Sequence, residues 1–328
     1  MPDEHWQSLE VAHAAVYGAG ALTWEWRLGL RSVLHPLPVM ALYTAATALG
    51  LDPPPRWMLT VAPRVLQAGL WAGGEVALWL VARRLGGPCA AWAALACSIM
   101  SWFTAFCAPR TLSNSTEAAL VAPVLWLWPE SHGGFGPDDR GPARLTAAAV
   151  LSAVLFLIRP TSLLLWVVPG LAALACSRTR MFTVWAFAST WAIVLALGAV
   201  ADSVYYQRPT LSWLNFVRWN VWQSVSTLYG THPWYWALSP AGLPALAPLS
   251  LGLAAYGALR FTNPQRRLGL VALVYVAAHS CMAHKEHRFM LPVLPILHLL
   301  AGVTLARMQA RPSRIMLLLL LLNLPVMK

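Results

Sequence analysis

The sequence predicts an all-α, polytopic membrane protein, and three observations carry that prediction. The 328-residue chain is 58% hydrophobic and 11% charged, with a mean hydropathy of +0.58, whereas soluble domains carry about 25% charged residues. Leu85 to Pro109 and Met181 to Ala201 contain no Asp, Glu, Lys or Arg, and each is long enough to cross roughly 30 Å of hydrocarbon as a helix. No stretch alternates apolar and polar residues as a barrel strand must, so helices that satisfy their own backbones are predicted.

The net charge is +11. The basic residues fall in short connecting segments, Arg83-Arg84, Arg178 to Arg180, Arg260 to Arg267 and Arg307 to Arg314, where the positive-inside bias places them, so no nucleic-acid partner is needed to explain them. Taking those segments as cytosolic predicts spans at 61–82, 88–108, 112–129, 145–158, 161–176, 181–201, 242–259, 268–283 and 289–306. Arg159-Pro160 splits one apolar stretch that would run to about 47 Å as a single helix, so it predicts the turn of a helical hairpin. The opposite, luminal or exterior face then collects Arg110 to Asn114, Arg159-Pro160, the loop 202–241 and the segment 284–288. The apolar segment 37–51 breaks this alternation, so either it or part of 57–82 is re-entrant or lies along the interface. Segment 315–327 is short for a span, and no apolar span precedes Asp3, so the chain reads as clipped at its start. The 18 Trp are expected in interfacial belts or filling the bundle, with a minority stacking on sugar. The five Cys lack any CxxC spacing and read as small core residues.

Polar residues stand out against this background. His284-Lys285-Glu286-His287-Arg288-Phe289 is a charged knot between two apolar stretches, and such a knot is costly unless it sits at a membrane surface or lines a site. Four of the 12 acidic residues, Asp3, Glu4, Glu10 and Glu25, lie near the start. Pro2, Asp3 and Glu4 suit a helix N-terminus, with Val11, Ala14 and Ala15 as a weak apolar face. That segment reads either as a capped surface helix lying on the membrane or as a carboxylate facing the surface as a general base. Arg64, Gln67 and Glu75 share one apolar segment, and Arg64 and Glu75, about three turns apart, can pair inside the bundle. Asn114-Ser115-Thr116 is a formal glycosylation sequon, but it opens directly into a helix at the membrane edge, and its use is not expected. The loop 202–241 interleaves aromatics and amides with Arg218, which suits a sugar–phosphate site or an interfacial belt equally. No nucleotide loop or zinc spacing is present. His284 and His287 do not form a recognised metal pattern, and neither a metal nor a cofactor is expected.

Taken together, HKEHRF before an apolar span, PDEHWQSLEVAH followed by TWEWRLGLRS, RTLSNSTEA and IRPTS resemble, in the same order, the blocks of the dolichol-phosphate-mannose-dependent mannosyltransferases (type C, family 22). FVRWNVWQSVSTLYGTHPWYWALSPAGLP is most similar to the GPI-anchor branch. The resemblance runs from Pro2 to about Arg307, and the family carries a membrane span before the PDE block. It implies a type C glycosyltransferase-like bundle with luminal loops, the whole of 1–328 forming one multi-span unit. Within it, 1–31 forms a luminal loop with an amphipathic helix, and 202–241 and 284–288 are luminal. It implies an enzyme of the endoplasmic reticulum membrane that moves mannose from dolichol-phosphate-mannose to a GPI precursor glycolipid as a third, α-1,2-linked residue, with inversion. An acidic residue of the first luminal loop, Asp3 with Glu4 beside it, would be the base. Arg288 and Lys285 would hold the donor phosphate, with His284 as a hydrogen-bond donor, Glu286 as an orienting group, and Arg159 and Arg110 in reserve. Two alternatives stay open: an α-1,2-mannosyltransferase of N-glycan precursor assembly, and a non-enzymatic polytopic lipid transporter, which would need polar residues at the bilayer midplane.

Overall fold

The computed structural model describes residues 3–128, 141–176, 180–239 and 242–308, and regular structure among these residues is helical only. Ten helices organise it: α1 (Glu10–Tyr17), α2 (Leu37–Ala48), α3 (Ala62–Ile99), α4 (Ser113–Leu127), α5 (Gly141–Ile158), α6 (Leu163–Cys176), α7 (Arg180–Tyr206), α8 (Pro248–Gly257), α9 (Asn263–Cys281) and α10 (Leu294–Arg307).

The bundle is built around α10. Every residue from Leu294 to Leu305 is buried, as expected of a helix that is apolar all round. It packs chiefly on α3, with α8 on another side. Apolar burial drives association weakly inside a bilayer, so close approach of backbones matters more. Gly302 provides it: a Cβ there would lie 2.5 Å from the Ala94 amide nitrogen. Helix α3 is two helices joined at Gly87, which has φ 82 and is followed by Pro88. The break falls beside Arg83-Arg84, where the sequence predicts a connection between spans.

Around this axis α4 packs on α3 and α5, α5 on α7, and α6 on α9. Arg159, with φ −146 and ψ 104, ends α5 before Pro160. Helices α5 and α6 then pack on different partners, so the predicted hairpin is a splayed pair. Among the described residues three helical stretches are long and apolar enough to cross a membrane, Arg56–Ile99, Met181–Tyr206 and His287–Arg307, and the bent pair Trp234–Leu246 and Pro248–Arg260 makes a fourth if it is one span. The stretches Leu37–Ala48, Pro142–Ile158 and Pro160–Ala173 are shorter. Helix α2 is about 18 Å long and packs on α1. Segments 178–179 and 315–327 lie outside the described residues.

The N-terminal helix is docked on protein. Leu9, Val11 and Ala12 are buried with Trp26, Val33, Val39, Met40 and Tyr43. Of the expected apolar face only Val11 is buried, while Ala15 is exposed. Polar anchors set the rotation: Glu4 is 1% exposed and Gln7 3%, and Gln7 Oε1 accepts from the Ser113 amide at 3.2 Å and its hydroxyl at 2.9 Å.

The glycine contact gives a first prediction. Gly302→Val forces α10 away from α3 and lowers the thermal stability of the detergent-solubilised protein by about 1–3 kcal/mol. Gly69→Ala, where an added Cβ meets nothing within 4 Å, leaves stability unchanged or slightly raised. Equal thermal stability of both variants and the parent would contradict the α3–α10 contact.

Candidate active site

The charged knot lies between the end of α9 and the start of α10, so two packed helices fix both its ends. Lys285 is 4% exposed, and its Nζ donates to the carbonyls of His232, at 3.0 Å, and Met282. It ties the end of α9 to the 202–241 loop. His284 bridges the Gly230 carbonyl and Glu286 Oε1, at 2.9 Å each. The His287 ring turns away to pack edge-on against Trp236, with centroids 5.0 Å apart, so the two histidines do not converge. Among the described residues no group of three His, Cys, Asp or Glu could hold a metal ion.

Glu286 and Arg288 form the centre. Arg288 Nη2 donates to Glu286 Oε1 at 2.9 Å, and Nε lies 2.6 Å from Oε2, a two-point contact that fixes the guanidinium plane. Burial disfavours the Glu286 carboxylate, but the charge of Arg288 and the hydrogen bonds from His284 and Arg288 outweigh it and hold its pKa below the usual carboxylate range. The remaining edge of Arg288 meets the other end of the chain: Nη1 lies 2.8 Å from Asp3 Oδ2, with the Arg288 side chain 11% and the Asp3 side chain 41% exposed.

Glu4, the next residue, has the opposite environment. Its buried carboxylate pairs with Arg64 Nη2 on α3, and Arg110 Nη1 lies 3.4 Å from each of its oxygens. The sequence expectation that Arg64 pairs with Glu75 is thereby overturned. Glu75 Oε1 accepts instead from the Trp71 indole at 2.8 Å and the Ser98 hydroxyl at 2.7 Å. Arg64 is a single turn into α3 and reaches the end of the bundle, where Glu4 is the stronger partner. Arg110 also stacks on Phe106, 4.3 Å from its centroid.

Arg159 lies in a third pairing. Its Nε is 2.9 Å from Glu117 Oε2, and Nη1 donates to Ser113 Oγ at 3.2 Å and Asn114 Oδ1 at 3.1 Å. Asn114 is fully buried, so the sequon faces the interior. The structure therefore gathers Asp3, Glu4, Arg110, Arg159, His284, Lys285, Glu286 and Arg288 at one end of the bundle. Of these, Lys285 and Glu4 are fully committed to protein partners.

Sequence reasoning missed three neighbours. Arg31 contacts Glu25 through Nε at 2.7 Å and Nη2 at 3.0 Å, and its charge interacts with that of Asp3. His35 faces the Thr111 carbonyl at 3.2 Å and feels the charges of Arg31 and Arg159. Arg64 was assigned to the wrong acid. The signal available for Arg31 was its place in the TWEWRLGLRS block, six residues after Glu25. In the 202–241 loop Tyr229 accepts from the Trp24 indole at 2.6 Å beside His284, while Trp222 and Trp234 are 72% and 70% exposed.

This is a helical membrane fold with one polar, largely ion-paired site at the end of its bundle. The same fold occurs in ArnT from Cupriavidus metallidurans, solved bound to undecaprenyl phosphate. That structure is 19% identical with a TM-score of 0.61, over 95% of this chain and 57% of that one. Residues 1–327 match the Alg9-like mannosyltransferase family, and the chain belongs to that family. It is 38% identical to GPI mannosyltransferase 3 of Yarrowia lipolytica, over 92% of this chain and 57% of that protein. It is 35% identical to mannosyltransferase APTG1 of Arabidopsis thaliana, over 95% and 56%, and 33% identical to human GPI alpha-1,2-mannosyltransferase 3, over 94% and 54%. The chain thus spans little more than half the length of the curated relatives it matches.

Two predictions follow from the ion pairs and from His35. Glu4→Gln leaves two guanidiniums facing an uncharged amide and destabilises the protein by roughly 3 kcal/mol, since breaking a buried pair strands a charge. The double variant Glu4→Gln/Arg64→Gln loses less than the sum of the single changes. Strict additivity in thermal unfolding would show that the pair is not coupled. Burial, opposed in part by the Thr111 hydrogen bond and reinforced by Arg31 and Arg159, lowers the His35 pKa to about 4. An unfolded chain binds that proton near pH 6.5, so His35 makes stability fall as pH drops from about 6.5 towards 4. His35→Asn flattens the stability profile across that window, and an unchanged slope would refute this origin.

Proposed function

We propose that this chain carries the catalytic site of an α-1,2-mannosyltransferase. In this reading it moves mannose from dolichol-phosphate-mannose to a GPI precursor with two mannoses, at the luminal face of the endoplasmic reticulum membrane. The observation that carries the reading is the contact between Asp3 and Arg288. It joins a solvent-open carboxylate from one end of the chain to a fixed guanidinium from the other, inside a member of a mannosyltransferase family whose relatives are named for GPI mannosyl transfer.

The chemistry follows from the charges. A β-linked donor and an α-linked product require inversion, hence one in-line displacement. The acceptor hydroxyl gives up its proton as its oxygen attacks the anomeric carbon, and the bond to the phosphate oxygen breaks. Asp3 is the proton acceptor, since Glu4 is enclosed by Arg64 and Arg110 and has no open face. Arg288 receives the charge that develops on the departing phosphate. Glu286 keeps the guanidinium plane fixed throughout, and His284 supports Glu286. Lys285 and Arg159 shape the site from behind through the bonds described above. No cofactor is assigned, the donor lipid being a substrate. The charged groups gather at one end of the bundle, as an interfacial enzyme requires. Arg64, with Glu75 the sequence's main suggestion of a midplane transport path, belongs to that end as well.

Asp3→Asn, expressed in cells lacking the endogenous enzyme, reduces mannosyl transfer by at least about a hundredfold, the lower end of what a general base contributes, while the protein stays in the membrane. Retained transfer in that variant would remove Asp3 as the base. The lipid accumulating in the null cells separates the acceptors: a two-mannose GPI precursor supports the proposal, and a truncated dolichol oligosaccharide overturns its acceptor.

A further inference from the structure

A second, differently built site lies on the outer side of the segment that backs the active site. One side of α7 exposes Ile193, Leu197, Val200 and Val204, each more than 60% exposed, at the three- and four-residue spacing that makes one straight stripe on a helix. The next step of the same spacing is Arg208, just past the end of α7. Val200, Val204 and Arg208 line a shallow, open depression of about 480 Å³. Arg208 also lines an adjoining pocket of about 430 Å³, whose walls are Arg27, Trp26, Tyr205 and Tyr206 together with Ala14 and Leu22. An apolar track thus leads into a mouth that carries two guanidiniums and three aromatic rings.

The donors in that mouth are unspent. Arg208 Nη2 donates to the Arg27 carbonyl at 2.7 Å, which leaves its other N–H groups open. Among the described residues the Arg27 guanidinium and the Tyr205 hydroxyl have no protein partner, and both border the cavity. No acidic residue lines either pocket. The nearest carboxylate on α7, Asp202, is 1% exposed. It accepts from the Val33 amide at 2.8 Å, the Ser32 hydroxyl at 2.9 Å and the Ser212 hydroxyl at 2.6 Å, so its charge is turned inward. The mouth is held in place by packing: Trp26 is buried and meets the Tyr205 ring edge-on at 6.0 Å, and the Tyr206 hydroxyl donates to the Arg31 carbonyl at 2.7 Å.

We propose that this groove is a binding site for an anionic membrane phospholipid. Its phosphate would sit between Arg27 and Arg208, and one acyl chain would lie along Val204, Val200 and Leu197. Charge complementarity selects the occupant. The open Arg27 guanidinium and the partly open Arg208 guanidinium, with no carboxylate lining either pocket, match an anionic headgroup, and the stripe beneath them matches hydrocarbon. The site is separate from Asp3 and Arg288, and a bound lipid would steady the 24–31 segment that carries Arg31. The inference does not depend on the proposed reaction, because its test reads binding.

The purified full chain is titrated in detergent micelles with phosphatidylserine, phosphatidylcholine or inorganic phosphate, and retained lipid is read by native mass spectrometry. Phosphatidylserine is expected to be retained well above phosphatidylcholine. An arginine near a membrane surface contributes about 1 kcal/mol towards an anionic lipid, so Arg27→Gln weakens phosphatidylserine retention about fivefold. Arg27→Gln/Arg208→Gln weakens it further. Val204→Trp, which fills the apolar half of the groove, weakens both lipids. The Arg27 side chain is exposed and has no hydrogen-bond or ion-pair partner among the described residues, so its variant folds as the parent does and keeps the test open if the double variant does not. Equal retention of the two lipids would mean an unselective lipid coat and overturn the proposal. So would unchanged retention in Arg27→Gln, or binding of inorganic phosphate at the strength of the lipid.

Discussion

The arrangement of this protein's polar end depends on burying one carboxylate, that of Glu4, between two guanidiniums. An ionised carboxylate withdrawn from water costs several kcal/mol unless it is paired, and Glu4 is 1% exposed. Its partners come from distant elements, Arg64 on α3 and Arg110 in the approach to α4. The pairing therefore fixes where the N-terminal helix sits and how it is rotated. Neighbouring residues on a helix point roughly 100° apart. Once Glu4 is turned into the bundle, Asp3 has to emerge along the edge, where Arg288 stands. The two adjacent acids consequently differ in role for a geometric reason, although their chemistry is nearly the same.

The partner of Asp3 is fixed from the other direction. Helix α10 is buried along its length, and the knot that leads into it is fastened at several points. Lys285 holds the end of α9 to the 202–241 loop, the Tyr275 hydroxyl donates to the Phe289 carbonyl at 3.0 Å, and Glu286 grips one edge of Arg288 at two points. A guanidinium so held has lost its rotamer freedom before any ligand arrives, which lowers the ordering cost of binding. Glu286 is stabilised as an anion by the cation it positions, so the pair persists at any pH above the usual carboxylate range.

Much of this was legible in the sequence because polar residues inside apolar stretches are conspicuous. The 284–288 knot, Arg159, Arg110 and the acidic start all stand out from their surroundings, and all of them meet. The break at Gly87-Pro88 and the helical character of the whole chain follow from local rules. Partner choice was not legible. Arg64 and Glu75 share a segment and a plausible spacing, yet Arg64 pairs with Glu4, which only the folded bundle brings near. The docking of α1 was missed for a related reason: its rotation is set by Glu4 and Gln7 finding buried partners, while its apolar periodicity is too weak to predict a face. Arg31, Glu25 and His35 lie in a segment without a strong helical pattern, so nothing local showed that Arg31 comes within reach of the Asp3 charge.

The distribution of charge in the site bears on how a phosphate could enter it. Arg64 and Arg110 share Glu4, Arg159 has Glu117, Arg31 has Glu25, and Arg288 has both Glu286 and Asp3. An anionic substrate gains from a guanidinium only where a carboxylate can step aside, because a buried acid that loses its cation is left stranded. Glu117 is fully buried and Glu4 nearly so, and the side chains of Glu25 and Glu286 are 25% and 32% exposed. Asp3, at 41%, is the most open of the five and meets its cation through a single oxygen. On the proposed reading a phosphate is therefore admitted most cheaply at Arg288, in exchange for Asp3. The same exchange releases the Asp3 carboxylate from its ion pair, so the step that seats the leaving group also opens the base to the acceptor. Arg288, still gripped by Glu286, does not have to move for either.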